Sequence, residues 1–197
     1  MAEAAEYSKQ SSKEEMIMRR KVVALFGKTS SGKSTCARYV KRAYDYKVFE
    51  IGNYVRDLYK KDPNCDGTVV DYANWNYEQG TLTQFVSSAI ARSKQFHGNI
   101  LFCGVRIIEE LACLKREYPD TILVRIDCSF DKRSRRYYKG NGDKVTFFDR
   151  DEMENRWIKS EWDSLHFDYV IVNDDGLDEY YKRIDSVFSE IARRGSA

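Results

Sequence analysis

The residues best suited to chemistry are Gly27-Lys28-Thr29-Ser30-Ser31-Gly32-Lys33-Ser34-Thr35, which fit the pattern G-x-x-x-x-G-K-S. Glycines at positions 27 and 32 allow backbone geometry and close approach that a Cβ would obstruct. Successive N–H groups in such a turn form a concave nest for phosphate oxygens, and a helix starting behind them adds positive potential. Lys33 can reach the β- and γ-phosphates of ATP, and the Ser34 hydroxyl can ligate Mg²⁺. The bland alternative is a Gly/Ser turn with a surface lysine, so the flanking elements must decide.

Those elements have the form the chemistry needs. Upstream, Lys21-Val22-Val23-Ala24-Leu25-Phe26 is a short apolar run of strand formers. Downstream, Cys36, Ala37, Tyr39 and Val40 give a helix-like apolar face. Val48-Phe49-Glu50-Ile51 predicts a second strand, and Gly52 to Tyr59 a turn into a short helix. Residues 62–80, with Pro63, Asn64, Asp66, Gly67 and Gly80, read as loop-rich and carry the aromatics Tyr72, Trp75 and Tyr77. Leu82, Phe85, Val86, Ala89 and Ile90 follow helical spacing. Asn99 to Cys103 reads as a buried strand ending at Gly104, and Ile107, Ile108, Leu111 and Leu114 as the next helix. Thr121 to Asp127 and Tyr169 to Asn173 are two further strands. Residues 131–163 are highly charged and helical on both sides of Gly140-Asn141-Gly142-Asp143, and a helix from about Leu177 to Ala192 closes the chain. Five apolar strands alternating with helices predict an α/β fold with a parallel sheet covered on both faces.

In such a sheet, ligands bind beyond the carboxyl ends of the strands. The conspicuous polar residues fall there: the loop at 27–35, Glu50 to Arg56, Gly104 to Arg106, Asp127 to Arg136, and Asn173 to Gly176. Phosphoryl transfer asks for cations around phosphates and for little covalent chemistry. On these residues the chain resembles the P-loop nucleoside and nucleotide kinases, a group that includes adenylate-kinase-like enzymes, viral deoxynucleoside monophosphate kinases and dephospho-CoA kinase. The resemblance spans about residues 21–193. It implies a three-layer fold with a five-stranded parallel sheet, helices on both faces and a small lid. Gly52-Asn53-Tyr54-Val55-Arg56 looks like the family's G-D-x-x-R, whose arginine holds the acceptor phosphate. Gly104-Val105-Arg106 is similar to the segment where a second arginine meets the acceptor. Arg133, Arg136 and Arg150 bracket a segment that looks like the closing lid, at about 133–150. Asn173 and Asp174 resemble the turn near the donor adenine.

The resemblance therefore implies ATP and Mg²⁺ at residues 27–35, with Ser34 as metal ligand. It places Gly52, Arg56, Arg106 and Arg133 on the acceptor, and Lys33, Arg136 and Arg150 on the transferring group. Two positions depart from the family pattern. Cys103 stands where many relatives have an aspartate beside magnesium, which leaves Glu50, Asp127 or water for that part. Asn53 replaces the aspartate of G-D-x-x-R. The expected reaction transfers the ATP γ-phosphoryl to a nucleoside or deoxynucleoside monophosphate. A hydroxyl acceptor, as in dephospho-CoA kinase, is the alternative, and Glu50 at the end of the second strand is then the candidate base. A third reading is an NTPase or nucleotide-binding module with no acceptor.

Composition limits the other classes. The chain has 197 residues, 42% hydrophobic and 32% charged, with a net charge of +2. That charge is too small to imply a nucleic-acid partner or a membrane surface. The basic run Lys132, Arg133, Arg135, Arg136 and Lys139 is followed by Asp149, Asp151, Glu152 and Glu154, a mixture that suits a phosphate-gripping lid better than a nucleic-acid face. No apolar run approaches a membrane span, and the N-terminus lacks the apolar core of a signal peptide. Residues 1–18 are expected to be a disordered arm before a domain at 19–197, with the protein cytoplasmic and a homodimer left open. The five cysteines form no C-x-x-C pair and read as reduced, packed thiols. His97 and His166 lie outside the expected site.

Overall fold

A computed structural model describes residues 20–62, 67–140, 144–158 and 161–194. The expected N-terminal arm and the Asn141-Gly142-Asp143 turn lie outside the described residues. Five strands, β1 (Val22–Phe26), β2 (Lys47–Glu50), β3 (Ile100–Cys103), β4 (Ile122–Asp127) and β5 (Tyr169–Val172), form one sheet in the order β2-β3-β1-β4-β5. Every pairing is parallel. Nine helices lie among the described residues: α1 (Lys33–Ala43), α2 (Ile51–Tyr59), α3 (Val69–Glu78), α4 (Thr83–Ser93), α5 (Ile108–Glu117), α6 (Phe130–Lys139), α7 (Lys144–Ile158), α8 (Glu161–Ser164) and α9 (Leu177–Arg193).

Strands β1 and β3 are buried on both faces, which explains their continuous apolar runs, whereas edge strand β5 leaves Val170 and Val172 exposed. Side chains alternate across a strand, so β1 feeds two cores. Val22, Ala24 and Phe26 pack with residues of α2, α4, α5 and α7, including Val55, Phe85, Leu111 and Trp157. Val23 and Leu25 pack on the other face against Cys36, Ala37 and Val40 of α1 and Tyr180, Ile184, Phe188 and Ile191 of α9. The strand order leaves β1 at the centre, with the chain passing to β2 and β3 on one side and to β4 and β5 on the other. The crevice for a ligand therefore opens above the C-terminal end of β1.

Residues 67–80 depart from the expected loop, because Val69–Glu78 is a helix. Its start is fixed by a capping box: Thr68 Oγ1 accepts from Val70 N and Asp71 N, and Thr68 N donates to Asp71 Oδ2. The turn residues Pro63, Asn64 and Asp66 suggested a loop through a stretch whose second half carries its own helix-start signal. Gly52 also departs from expectation. It lies within α2, which begins at Ile51 immediately after Glu50, with no intervening turn.

Candidate active site

Gly27 to Gly32 joins β1 to α1 in the strand, loop, helix arrangement that the motif requires. Both glycines adopt positive φ, 148° at Gly27 and 110° at Gly32. Space also excludes a side chain at each. A Cβ on Gly32 would lie 2.2 Å from Asn173 Nδ2, and one on Gly27 would lie 2.6 Å from Ser31 Oγ. The loop is held from the end of β5 and from α9, which packs on the same face of the sheet as α1. Asn173 Nδ2 donates to Ser31 O at 2.7 Å, and Tyr180 OH donates to Gly32 O at 3.1 Å. The first turn of α1 carries no acidic residue of its own to offset its positive N-terminal end. Ser31 Oγ is buried without a hydrogen-bond partner. A phosphate oxygen is the kind of acceptor that would satisfy it.

Lys33 Nζ donates to Gly27 O at 2.5 Å and to Lys28 O at 2.7 Å. Burial pushes its pKa from 10.5 down to about 8, against the opposing pull of Glu154. Burial therefore disfavours its charged form, and the two loop carbonyls and Glu154 support it.

Glu154 on α7 is the residue that sequence reasoning missed. Its side chain is 3% exposed. Oε2 accepts from Thr29 N and Oε1 from Thr29 Oγ1, each at 2.7 Å, and Arg106 Nε lies 3.6 Å from Oε1. Burial raises the carboxyl, but Arg106, Lys33 and the Thr29 donors outweigh it and hold Glu154 below the usual carboxylate range. Neighbours on the same helix face join it. Asn155 Oδ1 accepts from Lys28 Nζ. Asp151 Oδ1 accepts from Arg133 Nη1 at 2.6 Å, and the same Nη1 lies 3.3 Å from Thr29 O. Positions 151, 154 and 155 share a face by helical spacing, opposite the apolar Met153 and Trp157. That spacing was the available signal. It was masked by the general excess of acidic residues in the segment.

The expected site residues divide into groups. Lys33, Arg106 and Arg133 converge on Glu154 and the loop at Lys28 and Thr29. Arg133 is 4% exposed and bound to Asp151. Arg106 has its backbone held instead, since Arg106 N donates to Glu110 Oε2 at 2.8 Å and Arg106 O accepts from Trp162 Nε1. Arg136 grips the β5 end, donating to Asn173 O at 2.9 Å and to its Oδ1 at 3.2 Å. Asp174 Oδ1 accepts from Ser129 N, which ties the same end to the start of α6. Arg56 is exposed on α2 and donates to Asn53 Oδ1 at 2.5 Å. Arg150 has a buried Nε without a hydrogen-bond partner. Among the described residues, His97 and His166 are exposed and away from this cluster.

Two hollows flank the loop. On the β4–β5 side, a cleft of about 720 Å³ is lined by Lys28, Ser31, Asp127, Ser129, Phe130 and Asp174 among others. On the β2 side, a hollow of about 500 Å³ is lined by Ser34, Arg38, Lys41, Glu50 and Asn53 among others. Glu50 pairs in register with Cys103. Burial pushes the Cys103 thiol up to about 12, so it stays neutral and is a poor magnesium ligand. Among the described residues, no group of three or more His, Cys, Asp or Glu could hold a metal ion on its own. Magnesium usually needs only one or two protein oxygens besides phosphates, and the Ser34 hydroxyl with Glu50 nearby fits that mode. Among the described cysteines, Cys36 and Cys103 are buried and Cys113 and Cys128 half-buried, and Cys65 lies outside the described residues. Among the described residues, no helix is long and apolar enough to cross a membrane.

Comparison with known proteins gives the fold. A gluconokinase from Sinorhizobium meliloti 1021 superposes with a TM-score of 0.60 at 13% identity, over 88% of this chain and 94% of that one. A shikimate kinase from Acinetobacter baumannii in complex with shikimate superposes with a TM-score of 0.55 at 13% identity, over 87% and 94% of the two chains. In sequence, a UPF0200/UPF0201 protein of Archaeoglobus fulgidus is 24% identical over 90% of this chain, which spans 58% of that protein's length. A UPF0200 protein of Saccharolobus solfataricus is 23% identical over 91% of this chain and 98% of its own length. A dephospho-CoA kinase of Prochlorococcus marinus is 40% identical over 50 residues, 25% of this chain and 24% of that enzyme. No protein-family profile matches the chain.

Proposed function

We propose, from a chain with the P-loop kinase fold, that this protein is an ATP-dependent phosphotransferase acting on a small acceptor, and that the acceptor is a nucleoside or deoxynucleoside monophosphate. The observation that carries the reading is the loop itself. Its two glycines have no room for a Cβ, its Ser31 hydroxyl is a buried donor in want of an acceptor, and Lys33 stands beside it. The loop N–H groups and Lys33 would hold the donor phosphates. The β4–β5 cleft, with Phe130 on its wall, suits the donor nucleoside. Magnesium, when bound through Ser34, would neutralise charge on the transferring group. Arg106 and Arg56 would clamp the acceptor phosphate, and Arg136 and Arg150 would add positive charge during transfer. An acceptor phosphate is already an anion at neutral pH, so no strong general base is needed.

A second reading, transfer to a hydroxyl, has two observations in its favour. The short dephospho-CoA kinase similarity is one. The other is Glu50, a carboxylate at the β2 end that shares a hollow with Ser34 and could accept the hydroxyl proton. A phosphorylation screen over ribo- and deoxynucleoside monophosphates plus dephospho-CoA, with product identified, separates them. A diphosphate product is expected. A product phosphorylated on a hydroxyl would replace the first reading by the second.

A further inference from the structure

We infer that Glu154 is an internal competitor for the terminal phosphate of the donor, so that loading the loop requires helix α7 to release it. This inference rests on the nucleotide-binding reading above and adds a specific step to it. The Glu154 carboxylate receives what a phosphate in a P-loop receives: a loop N–H, a loop hydroxyl, and the fields of Lys33 and a nearby arginine. A carboxylate and a phosphate cannot share those donors, because both are anions and the Thr29 N–H points at one acceptor. Glu154 stays ionised at neutral pH, so protonation does not lift the conflict.

The substitution of phosphate for carboxylate also improves hydrogen bonding. With Glu154 in place, Ser31 Oγ of the same loop stays buried without a hydrogen-bond partner. A phosphate chain has more oxygens than a carboxylate and can reach several donors at once. The contacts from Asp151, Glu154 and Asn155 lie on one face of α7, so displacing the carboxylate bears on the docking of the whole helix. A purely structural anchor would share the burial of Glu154. It would differ in sign, because its loss would loosen the loop and weaken ATP binding.

The test is ATP binding by calorimetry, without acceptor, to the wild type, E154Q, E154A and K33A. A latch closed nine-tenths of the time weakens apparent affinity by about tenfold, so E154Q and E154A should bind ATP about tenfold or more tightly than the wild type. In the wild type, ATP should also speed amide hydrogen exchange at residues 151–155, a readout that does not depend on any variant folding. Equal or weaker ATP binding by E154Q, with the wild type still binding and K33A not, would overturn the latch while leaving the kinase reading in place. Unchanged or slower exchange at 151–155 on ATP binding would overturn it as well. Failure of the wild type and E154Q alike to bind ATP would overturn both.

Discussion

At the scale of single residues, the proposed function assigns the chemistry to Lys33 and the arginines, and each assignment has its own prediction. Lys33→Ala removes the charge that meets the developing negative charge between the β- and γ-phosphates. Its kcat should fall by about 10²-fold or more with the fold intact, measured by steady-state turnover and circular dichroism. Arg106→Ala and Arg56→Ala should act on the acceptor instead. Losing a charge-assisted bond to phosphate costs about 1.5–3 kcal/mol, a rise of roughly 10–100-fold in acceptor KM with ATP affinity little changed. A drop in ATP affinity at unchanged acceptor KM would move these arginines to the donor side. The sequence made the loop, Lys33 and Ser34 legible because a nest of N–H groups demands glycine at fixed spacing. It made Arg106 legible by its place after a buried strand. It left Glu154 hidden among the other acidic residues of its segment, because its partners Thr29 and Arg106 lie far away along the chain and meet it only when α7 docks.

At the scale of elements, two pieces of the site depend on helix ends and helix pairs. The segment from Gly104 to Ile107 is held by Glu110 in the first turn of α5, which accepts from Arg106 N at 2.8 Å. Burial raises the Glu110 carboxyl from 4.5 to about 7, with the Arg106 N–H and charge opposing. Between those values the folded protein binds a proton that the unfolded chain does not, so this group's contribution falls as pH rises from 4.5 to 7. Urea titrations across that range should show a flatter pH dependence for Glu110→Gln than for the wild type. The α6–α7 pair depends on the buried Arg133–Asp151 bridge, 2.6 Å long. Asp151→Ala would leave a buried guanidinium uncompensated, which costs about 3–5 kcal/mol and should lower the melting temperature accordingly. A loss below about 1 kcal/mol would place Arg133 in water. The helical halves of this region were readable from sequence. Helix α3 was not, since the turn residues before it outweighed the Thr68 and Asp71 capping signal.

At the scale of the whole molecule, a five-stranded parallel sheet with β1 at its centre makes a crevice with two unlike sides. The β4–β5 side offers the larger cleft and the Asn173–Arg136 brace, and the β2–β3 side offers Glu50, Arg56 and Arg106. This division is what transfer between two substrates needs, and it was legible from five apolar strands and the polar residues at their ends. The identity of the acceptor was not, because specificity depends on packing shape rather than on motif spacing. On the proposed reading, Arg56 and Arg106 clamp an acceptor, a task that a simple hydrolase does not have. The most direct test follows the γ-phosphoryl of labelled ATP, with and without the nucleoside monophosphate panel. Transfer of the label to an acceptor phosphate, dependent on that acceptor and lost in Lys33→Ala, is the predicted result. Release of the label as inorganic phosphate at one rate, whatever acceptor is present, would contradict the account.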